Sequence, residues 1–394
     1  DAGSVHIKAT ETVFIDGGNK IGLSLDKLDQ PEELNKSDLE KLNFAGIISR
    51  VFSEAEGNGG DITITTGSLE IKNGAIIGAG TSGKGNAGSV NINTTDTIIF
   101  NGENSKFFTG VSSLVFPGAE GNGGNINITT RSAKGQNEAQ ISASTSGKGN
   151  AGNIDIRATE LEVKDNAKIS ARTIRTGEGG NIIINTPDTL NITGNGEITV
   201  ESKGPGNAGT IEITSPNMAL FESIDITAST SDIGDGGQIK IEAGEITAPN
   251  STISAKSTGA GNAGTIDITA QGDITTGVVT SAAKNNIETA DGGSISITSQ
   301  QGKINATREI QSFSEGGNAG DVTLKAKADI TADTINSHGK QEGGQITISS
   351  ETGNIDTSSG NFLANYSGGG DAGDITMEAP QGNITTNNIY SYAD

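Results

Sequence analysis

Apolar residues in this chain alternate with polar ones in short segments that share a common start. Thirteen segments read x-Ile-x-Ile or a close aliphatic variant, and each follows a Gly-Gly or Ala-Gly pair directly. In residues 153–157, for example, Ile154 and Ile156 flank Asp155. Alternation of β-branched and polar residues is typical of a strand with one buried face. We therefore predict thirteen such strands, with the aliphatic pairs inside and the residues between them in water.

The glycine pairs mark an internal repeat. Ten of the twelve intervals between closing glycines measure 24 to 29 residues. Each copy carries two further short strand patterns, such as residues 161–163 and 168–171, and none has the helical periodicity of a βαβ unit. One copy cannot bury its apolar face alone, so the copies must stack. The closing glycines that we assign to a structural turn, after an initial Gly3, are Gly60, Gly88, Gly124, Gly152, Gly180, Gly209, Gly237, Gly264, Gly293, Gly320, Gly344 and Gly373.

The predicted fold class is all-β: a right-handed parallel β-helix, or β-solenoid, of about 13 coils of roughly 28 residues in one repeat domain over residues 1–394. Right-handed winding is expected because crossovers between parallel strands are overwhelmingly of that hand. We expect the step glycines to adopt positive φ, with Asn and Asp side chains forming turn hydrogen bonds beside them. The pattern reaches both ends without a capping element, so we expect the chain to be an internal piece of a longer protein.

Two insertions interrupt the repeat. Residues 25–43 contain a Ser37-x-x-Glu40 capping box and five leucines, which predict a short amphipathic helical insertion against the solenoid. Residues 101–120 are rich in Phe, Leu and Val and predict an apolar loop insertion. This loop is expected to cover a flank of the solenoid, and contact with a partner is the alternative. The residues of that possible partner contact are Phe107, Phe108, Leu114 and Phe116.

Composition and charge narrow the function. The chain has 58 Gly, 3% aromatic residues and no Cys, which excludes disulfides, thiol nucleophiles and Cys-ligated metals. It has 48 acidic and 26 basic residues, for a formal charge of −22. Such a surface repels phosphates and anionic lipids, so we expect neither nucleic acid nor membrane as a partner. The chain contains no run of 18 apolar residues, so no membrane-spanning helix is predicted.

An Asn, Asp or Glu lies two positions before each closing glycine over most of the chain, and acidic members tend to occupy alternate coils. The favoured interpretation is a column of turn hydrogen bonds. A column of divalent cations, with Ca²⁺ as the candidate, is the alternative, and no cofactor is otherwise predicted. The residues of that alternative metal column are Glu178, Asp235, Asp291, Glu342 and Asp371.

Polysaccharide lyases and hydrolases also use β-solenoids, so outward carboxylates must be considered. Asp155, Glu212 and Asp267 fall on alternate coils, with Lys240 between the last two. Their expected spacing of roughly 10 Å is just beyond that of inverting glycosidases. The two histidines, His6 and His338, lie at opposite ends of the sequence. We therefore predict no catalytic residues and no enzymatic activity.

The Gly-Asn-Ala-Gly and Gly-Asn-Gly-Gly steps followed by Ile-x-Ile resemble the repeat region of large exoproteins of the filamentous-haemagglutinin type. Residues 115–124, Val-Phe-Pro-Gly-Ala-Glu-Gly-Asn-Gly-Gly, resemble especially the cyanobacterial branch. The resemblance covers essentially the whole chain. It implies a long right-handed β-helix, two-partner secretion through an outer-membrane transporter, and adhesion outside a Gram-negative-type bacterium. It assigns no functional residue.

The leading hypothesis is a non-enzymatic shaft of a large secreted adhesin or extracellular fibre, which presents binding surfaces in cell-surface or matrix attachment. The expected partners are the outer-membrane transporter, cell-surface or matrix glycans or proteins, and further copies of the chain if shafts join. The alternatives are a carbohydrate-active β-helix enzyme and a self-assembling extracellular filament subunit.

Overall fold

The structure is a computed structural model that describes residues 1–18, 45–103, 108–284, 289–360 and 363–393, without the side chains of 363–366. The predicted helical insertion at 25–43 lies outside these ranges. The chain divides into two compact units, residues 1–209 and 210–394. Every regular element in the described residues is a β-strand, stacked in parallel, and the predicted β-solenoid fold is confirmed. The described ranges hold no helix long and apolar enough to cross a membrane.

The first unit is built from short strands, most of three to seven residues. Within its described residues they are β1 (Val5–Lys8), β2 (Thr12–Asp16), β3 (Ala45–Val51), β4 (Ile62–Thr66), β5 (Ser68–Lys72), β6 (Ala75–Thr81), β7 (Val90–Thr94), β8 (Thr97–Asn101), β9 (Gly110–Val115), β10 (Ile126–Gln136), β11 (Gln140–Ser142), β12 (Ile154–Val163), β13 (Lys168–Ser170), β14 (Ile182–Asn185), β15 (Thr189–Thr193) and β16 (Glu197–Thr199).

The second unit contains three long strands that continue through corners, together with many short ones. Its described strands are β17 (Thr210–Glu222), β18 (Asp225–Thr227), β19 (Gln238–Ser254), β20 (Ile266–Ala270), β21 (Ile274–Ala283), β22 (Ile295–Ser299), β23 (Ile304–Ala306), β24 (Ile310–Ser314), β25 (Val322–Ala326), β26 (Ile330–Ala332), β27 (Ile335–Gly339), β28 (Ile346–Ser350), β29 (Ile355–Thr357), β30 (Leu363–Ser367), β31 (Ile375–Glu378), β32 (Ile384–Thr386) and β33 (Ile389–Ala393).

Each strand pairs in parallel with its counterpart in the next coil, which produces three sheets in each unit. In the first unit, sheet A consists of β1, β4, β7, β10, β12 and β14. Sheet B consists of β2, β5, β8, the second halves of β10 and β12, and β15. Sheet C consists of β3, β6, β9, β11, β13 and β16.

The second unit repeats this plan. Its sheet A consists of β17, β19, β20, β22, β25, β28 and β31. Its sheet B continues through the later part of β17, the middle of β19 and the first residues of β21 to β23, β26, β29 and β32. Its sheet C runs from β18 through the last residues of β19 and β21 to β24, β27, β30 and β33. The glycine steps begin six sheet A strands in the first unit and seven in the second, and the described residues form about eleven turns, slightly fewer than the predicted 13.

The aliphatic pairs of sheet A form the core. Ile154 and Ile156 are fully buried, and the parallel register places them on Ile126 and Ile128 of the preceding coil. Sheets B and C add further aliphatic side chains to each coil, among them Leu161. A buried aliphatic side chain stabilises the fold by about 1.5–3 kcal/mol. The predicted inward orientation of these residues is confirmed.

The closing glycines are required by close contact between backbones. A Cβ built on Gly124 would lie 2.2 Å from the carbonyl oxygen of Gly88, and one on Gly152 would lie 2.0 Å from that of Gly124. The φ angles at both residues are outside the left-handed region, so the expected positive φ is wrong for these glycines. Left-handed φ occurs three residues earlier, as at Gly121 (154°). A Cβ would come within 2.4 Å of a backbone atom of the preceding turn at Gly60, Gly88, Gly124, Gly152, Gly180, Gly209, Gly264, Gly293, Gly320 and Gly344.

The two remaining predicted turn glycines take part in hydrogen bonds. The backbone N–H of Gly237 donates to the carbonyl of Ala228, at 3.0 Å. The carbonyl of Gly373 accepts a hydrogen bond from the Ser391 hydroxyl, at 3.3 Å. Both glycines therefore join the glycine step to sheet C of the same unit.

A buried serine of sheet C links successive glycine steps in several coils. The Ser312 hydroxyl donates to the carbonyl of Gly293 at 2.9 Å and accepts from the N–H of Gly320 at 2.8 Å. Where alanine stands at this position, as at Ala143, the glycine N–H (here Gly152) donates to the alanine carbonyl instead. We call these residues clamp serines, and the same two hydrogen bonds form at Ser49, Ser113, Ser281 and Ser337.

Replacing Gly135 with alanine should stabilise the protein. Gly135 lies in sheet B between Phe100 and Val163 and borders an apolar cavity of about 20 Å³. A Cβ here would meet only the Cβ of Ala167, at an ordinary 3.8 Å. Alanine has less unfolded-state entropy and adds a buried methyl group, so we expect the free energy of unfolding to rise by about 1 kcal/mol in urea titrations.

Gly124→Ala is the matched control for this change. The same methyl group would overlap the carbonyl oxygen of Gly88 and separate two coils, so we expect a loss of more than about 3 kcal/mol. Equal effects of the two substitutions would contradict the contact-based explanation of the repeat glycines.

Removal of a clamp serine should destabilise the stack. Ser312→Ala would leave a half-buried N–H at Gly320 and a buried carbonyl at Gly293 without this partner, at a cost of about 2 kcal/mol. Ser349→Ala, on the outward side of sheet A in the same unit, should change the free energy of unfolding by less than about 0.5 kcal/mol. The two free energies are compared by urea denaturation, and similar losses would argue against the clamp.

Candidate functional site

In the second unit, the candidate carboxylates Glu212 and Asp267 lie on either side of Lys240 in one outward column of sheet A. The Lys240 Nζ is 3.8 Å from Glu212 Oε1 and 2.8 Å from Glu242 Oε1. The hydrogen bond to Glu242, assisted by the charges of Glu242, Glu212 and Asp267, raises the pKa of Lys240. The lysine therefore neutralises its neighbours, and the column is an ion-pair ladder rather than an acid facing a base.

Asp155 lies in sheet A of the first unit. Its neighbours in the column are Asn127 and Ile183, so neither adjacent coil supplies a second carboxylate. Arg157 Nη2 lies 2.5 Å from Asp155 Oδ2. The other oxygen, Oδ1, is buried and accepts no hydrogen bond from the described residues. Asp155 is thus held by an ion pair within its own strand.

The two histidines belong to different units. His6 is exposed in β1 of the first unit. His338, in β27 of the second unit, packs edge to face against Phe313 with ring centroids 5.2 Å apart. Partial burial lowers the pKa of His338. These contacts make His338 part of the packing of sheet C.

The column before the closing glycines is a ladder of side chain to backbone hydrogen bonds. In the second unit, Asp235 Oδ1 accepts the N–H of Asn262, Asn262 Oδ1 accepts that of Asp291, and Asp291 Oδ1 accepts that of Asn318, each at 2.8 Å. A carboxylate and an amide oxygen thus serve the same purpose in successive coils. We call this column the Asx ladder, and it bears out the turn-hydrogen-bond interpretation at these residues.

The remaining residues of the predicted metal column contribute differently. Glu178 donates its N–H to Asn150 Oδ1 at 2.9 Å, in the first unit. The backbone carbonyls of Glu342 and Asp371 accept hydrogen bonds from Ala319 and Gly343. The described residues contain no group of three or more His, Asp or Glu side chains that could hold a metal ion. Binding of Ca²⁺ therefore stays a prediction without a defined site.

The predicted partner contact needs a correction. Phe108 and Phe116 are each only 5% exposed, and Leu114 is half-buried, whereas Phe107 lies outside the described residues. Residues 110–115 of the predicted apolar loop form the strand β9, which pairs with β6 in sheet C. The guanidinium of Arg50 lies over the Phe116 ring, 4.3 Å from its centroid. Phe108 and Phe116 therefore pack within the first unit instead of offering a surface to a partner.

An alternating charge column escaped the sequence interpretation. Four positions before the closing glycines, Glu56, Lys84, Glu120 and Lys148 follow one another in neighbouring coils. Lys84 Nζ is 3.5 Å from Glu56 Oε1, and Lys148 Nζ is 3.0 Å from Glu120 Oε1. The Lys148 ammonium, with a smaller effect of Lys84, lowers the pKa of Glu120. The sequence does carry a signal for this column, because negative and positive residues alternate at this position from one repeat to the next.

Substitutions at Asp291 separate the Asx ladder from a metal column. Asp291→Asn keeps the oxygen that accepts the Asn318 N–H, so we expect an unchanged melting temperature in both calcium chloride and EDTA. Asp291→Ala removes the acceptor and should lower the free energy of unfolding by about 1 kcal/mol in both buffers. A melting temperature that calcium raises for the parent but not for Asp291→Asn would instead establish a cation site.

The outward acidic and basic groups at Lys240, Asp155 and the Glu56–Lys148 column share one arrangement: they pair with neighbours in the same or an adjacent strand. None of these ladders brings an acid, a base and a nucleophile to one point. Comparison with protein-family models, curated proteins and solved structures finds no match for this chain.

Proposed function

We propose that the chain forms part of the non-enzymatic shaft of a large secreted adhesin or extracellular fibre, which presents binding surfaces in attachment to cells or matrix. The observation that carries this proposal is the pairing of outward ionisable groups across coils, as at Glu212, Lys240 and Asp267. Side chains used in this way stabilise a stack, and among the residues that the structure describes they form no convergent set for catalysis. That is the chemistry expected of a spacer.

Repetition of the interface between coils supports the same role. Each turn is joined to the next by sheet hydrogen bonds, by stacked glycine steps and, in different coils, by clamp serines, the Asx ladder and ion pairs. Because these contacts recur, each additional coil extends a unit by about 4.8 Å without altering the others. A structure built in this way can hold two points at a separation that is set by the number of coils between them.

Charge and resemblance support the location and partners that we propose. The formal charge of −22 favours a solvated surface and disfavours nucleic acid. The resemblance of the glycine steps to filamentous-haemagglutinin-type exoproteins suggests export through an outer-membrane two-partner secretion transporter. The shaft would then lie outside a Gram-negative-type bacterium and meet cell-surface or matrix glycans or proteins.

An enzymatic role is the competing proposal, and one observation favours testing it. The buried Oδ1 of Asp155 accepts no hydrogen bond from the described residues, and such groups occur at catalytic sites. The parent chain and the triple variant Asp155→Asn, Glu212→Gln, Asp267→Asn should both release no reducing sugar or unsaturated product from neutral or acidic polysaccharides. Product formed by the parent and abolished in the variant would overturn the shaft proposal.

Deletion of one coil tests the shaft directly. Removing residues 125–152 joins Gly124 to Asn153 and preserves the alternation of every remaining strand. We expect a folded β-protein by circular dichroism, with an electron-microscopic length reduced by about 4.8 Å, because repeat stability depends on nearest neighbours. Global unfolding of the deletion variant would show that the coils are not interchangeable and would contradict a simple spacer.

A further inference from the structure

One outward region of sheet A in the first unit carries polar side chains without charge. The parallel register aligns it over three successive strands, β4, β7 and β10. All of its side chains are exposed or half-buried, and they stand in two columns of three. We call this region the amide–hydroxyl patch, and its residues are Thr63, Thr65, Asn91, Asn93, Asn127 and Thr129.

The patch keeps hydrogen-bonding capacity that the fold does not use. Asn127 Nδ2 donates to Asn91 Oδ1 at 2.8 Å, which leaves the Asn91 amide donors and the Asn127 oxygen available to a ligand. The other four side chains form no hydrogen bond with described residues. In the Asx ladder of the same unit, by contrast, Asn122 Oδ1 is occupied by the N–H of Asn150. The patch therefore has hydrogen-bonding groups available to a ligand, whereas the Asn122 oxygen of the Asx ladder is already occupied by a backbone N–H.

The backbone fixes the spacing of these groups. Adjacent strands are about 4.8 Å apart, and outward residues along one strand are separated by about 6.6 Å. The result is a flat grid of donors and acceptors held by strands whose inward residues, such as Ile92 and Ile128, are buried. An extended polymer lying across the strands would meet one pair of polar side chains for each strand that it crosses.

We propose that the amide–hydroxyl patch binds an extended neutral polysaccharide, whose hydroxyl groups exchange hydrogen bonds with the Asn amides and Thr hydroxyls. This proposal rests on the proposed attachment function and names its ligand class. The argument is charge complementarity: the six side chains are uncharged on a chain of net charge −22, which disfavours acidic polymers but not neutral ones. Charged or ionisable groups lie on the two bordering strands, with His6 and Lys8 of β1 on one side and Asp155 and Arg157 of β12 on the other. Ile183, 40% exposed in the same sheet, and the Asp155–Arg157 pair add an apolar contact and polar groups near one edge.

Co-sedimentation of the full chain with insoluble cellulose and chitin tests this proposal, since both are neutral β-1,4-linked polymers. The variant Asn91→Ala, Asn93→Ala, Thr129→Ala removes three of the six polar side chains at the surface. We expect it to bind with a dissociation constant at least about tenfold higher, because a hydrogen bond contributes about 1 kcal/mol. The matched control, Asn305→Ala, Thr331→Ala, Asn336→Ala, makes the same three changes on sheets B and C of the second unit and should bind like the parent.

The outcomes distinguish this proposal from the shaft proposal. Equal binding by the patch variant and the parent, binding to neither cellulose nor chitin, or tighter binding to polygalacturonate would each overturn the neutral-glycan surface. Reducing sugar released into the supernatant would contradict the non-enzymatic shaft but leave the binding surface standing. Circular dichroism verifies that the variants fold, and displacement of the bound parent by soluble cello-oligosaccharides provides a measurement that needs no variant.

Discussion

The close approach of backbones at the closing glycines is the constraint on which the rest of the structure depends. A methyl group on Gly152 would occupy the position of the Gly124 carbonyl oxygen, so no other residue fits between the two coils. The sheet A strand begins two residues later, at Ile154, and its first N–H donates to Asn181 of the next coil. Separation of the glycine steps would therefore lengthen the sheet hydrogen bonds and unstack the isoleucines beneath them. Core packing and strand register both follow from this contact.

Fixed stacking also explains how an acidic chain remains folded. Outward side chains on paired strands have defined neighbours in the adjacent coils, so the choice of residue in a column can keep like charges apart. Asn262 lies between Asp235 and Asp291 and so separates the two carboxylates. Its N–H donates to Asp235 Oδ1, and its own Oδ1 accepts the N–H of Asp291, so the ladder continues without a charge in that coil. Lys84 and Lys148 do the equivalent for Glu120 by opposite charge. The surplus of negative charge is thus distributed over the surface without breaking the ladders.

The architecture could be predicted from the sequence because its signals are local and repeated. Alternation at Ile154 and Ile156 identifies a buried face from five residues, and recurrence of that pattern requires stacking. The role of Gly152 could not be read in this way, since close approach and left-handed φ both select glycine and only the three-dimensional contact separates them. Ser312 has no distinctive sequence signature either, because an inward serine in a strand resembles an outward one. The burial of Phe116 has no local sequence signal, because an apolar insertion does not reveal that the residues just before it form β9 and direct the ring beneath Arg50.

Some outward polar side chains hydrogen-bond to the backbone of the stack, whereas others retain free donors and acceptors. This difference connects the fold to the proposed binding. A side chain such as Asn122, which already holds a backbone N–H, can bind a ligand only by giving up a bond that stabilises the stack. Asn91 and Asn127 share one hydrogen bond and retain further capacity, so a ligand meets them without that loss. Their strands are also fixed by the buried core, which lowers the conformational entropy lost on binding. Weak hydrogen bonds to sugar hydroxyls add up only when the protein groups are already in place, and a parallel solenoid sheet supplies that order through its backbone alone.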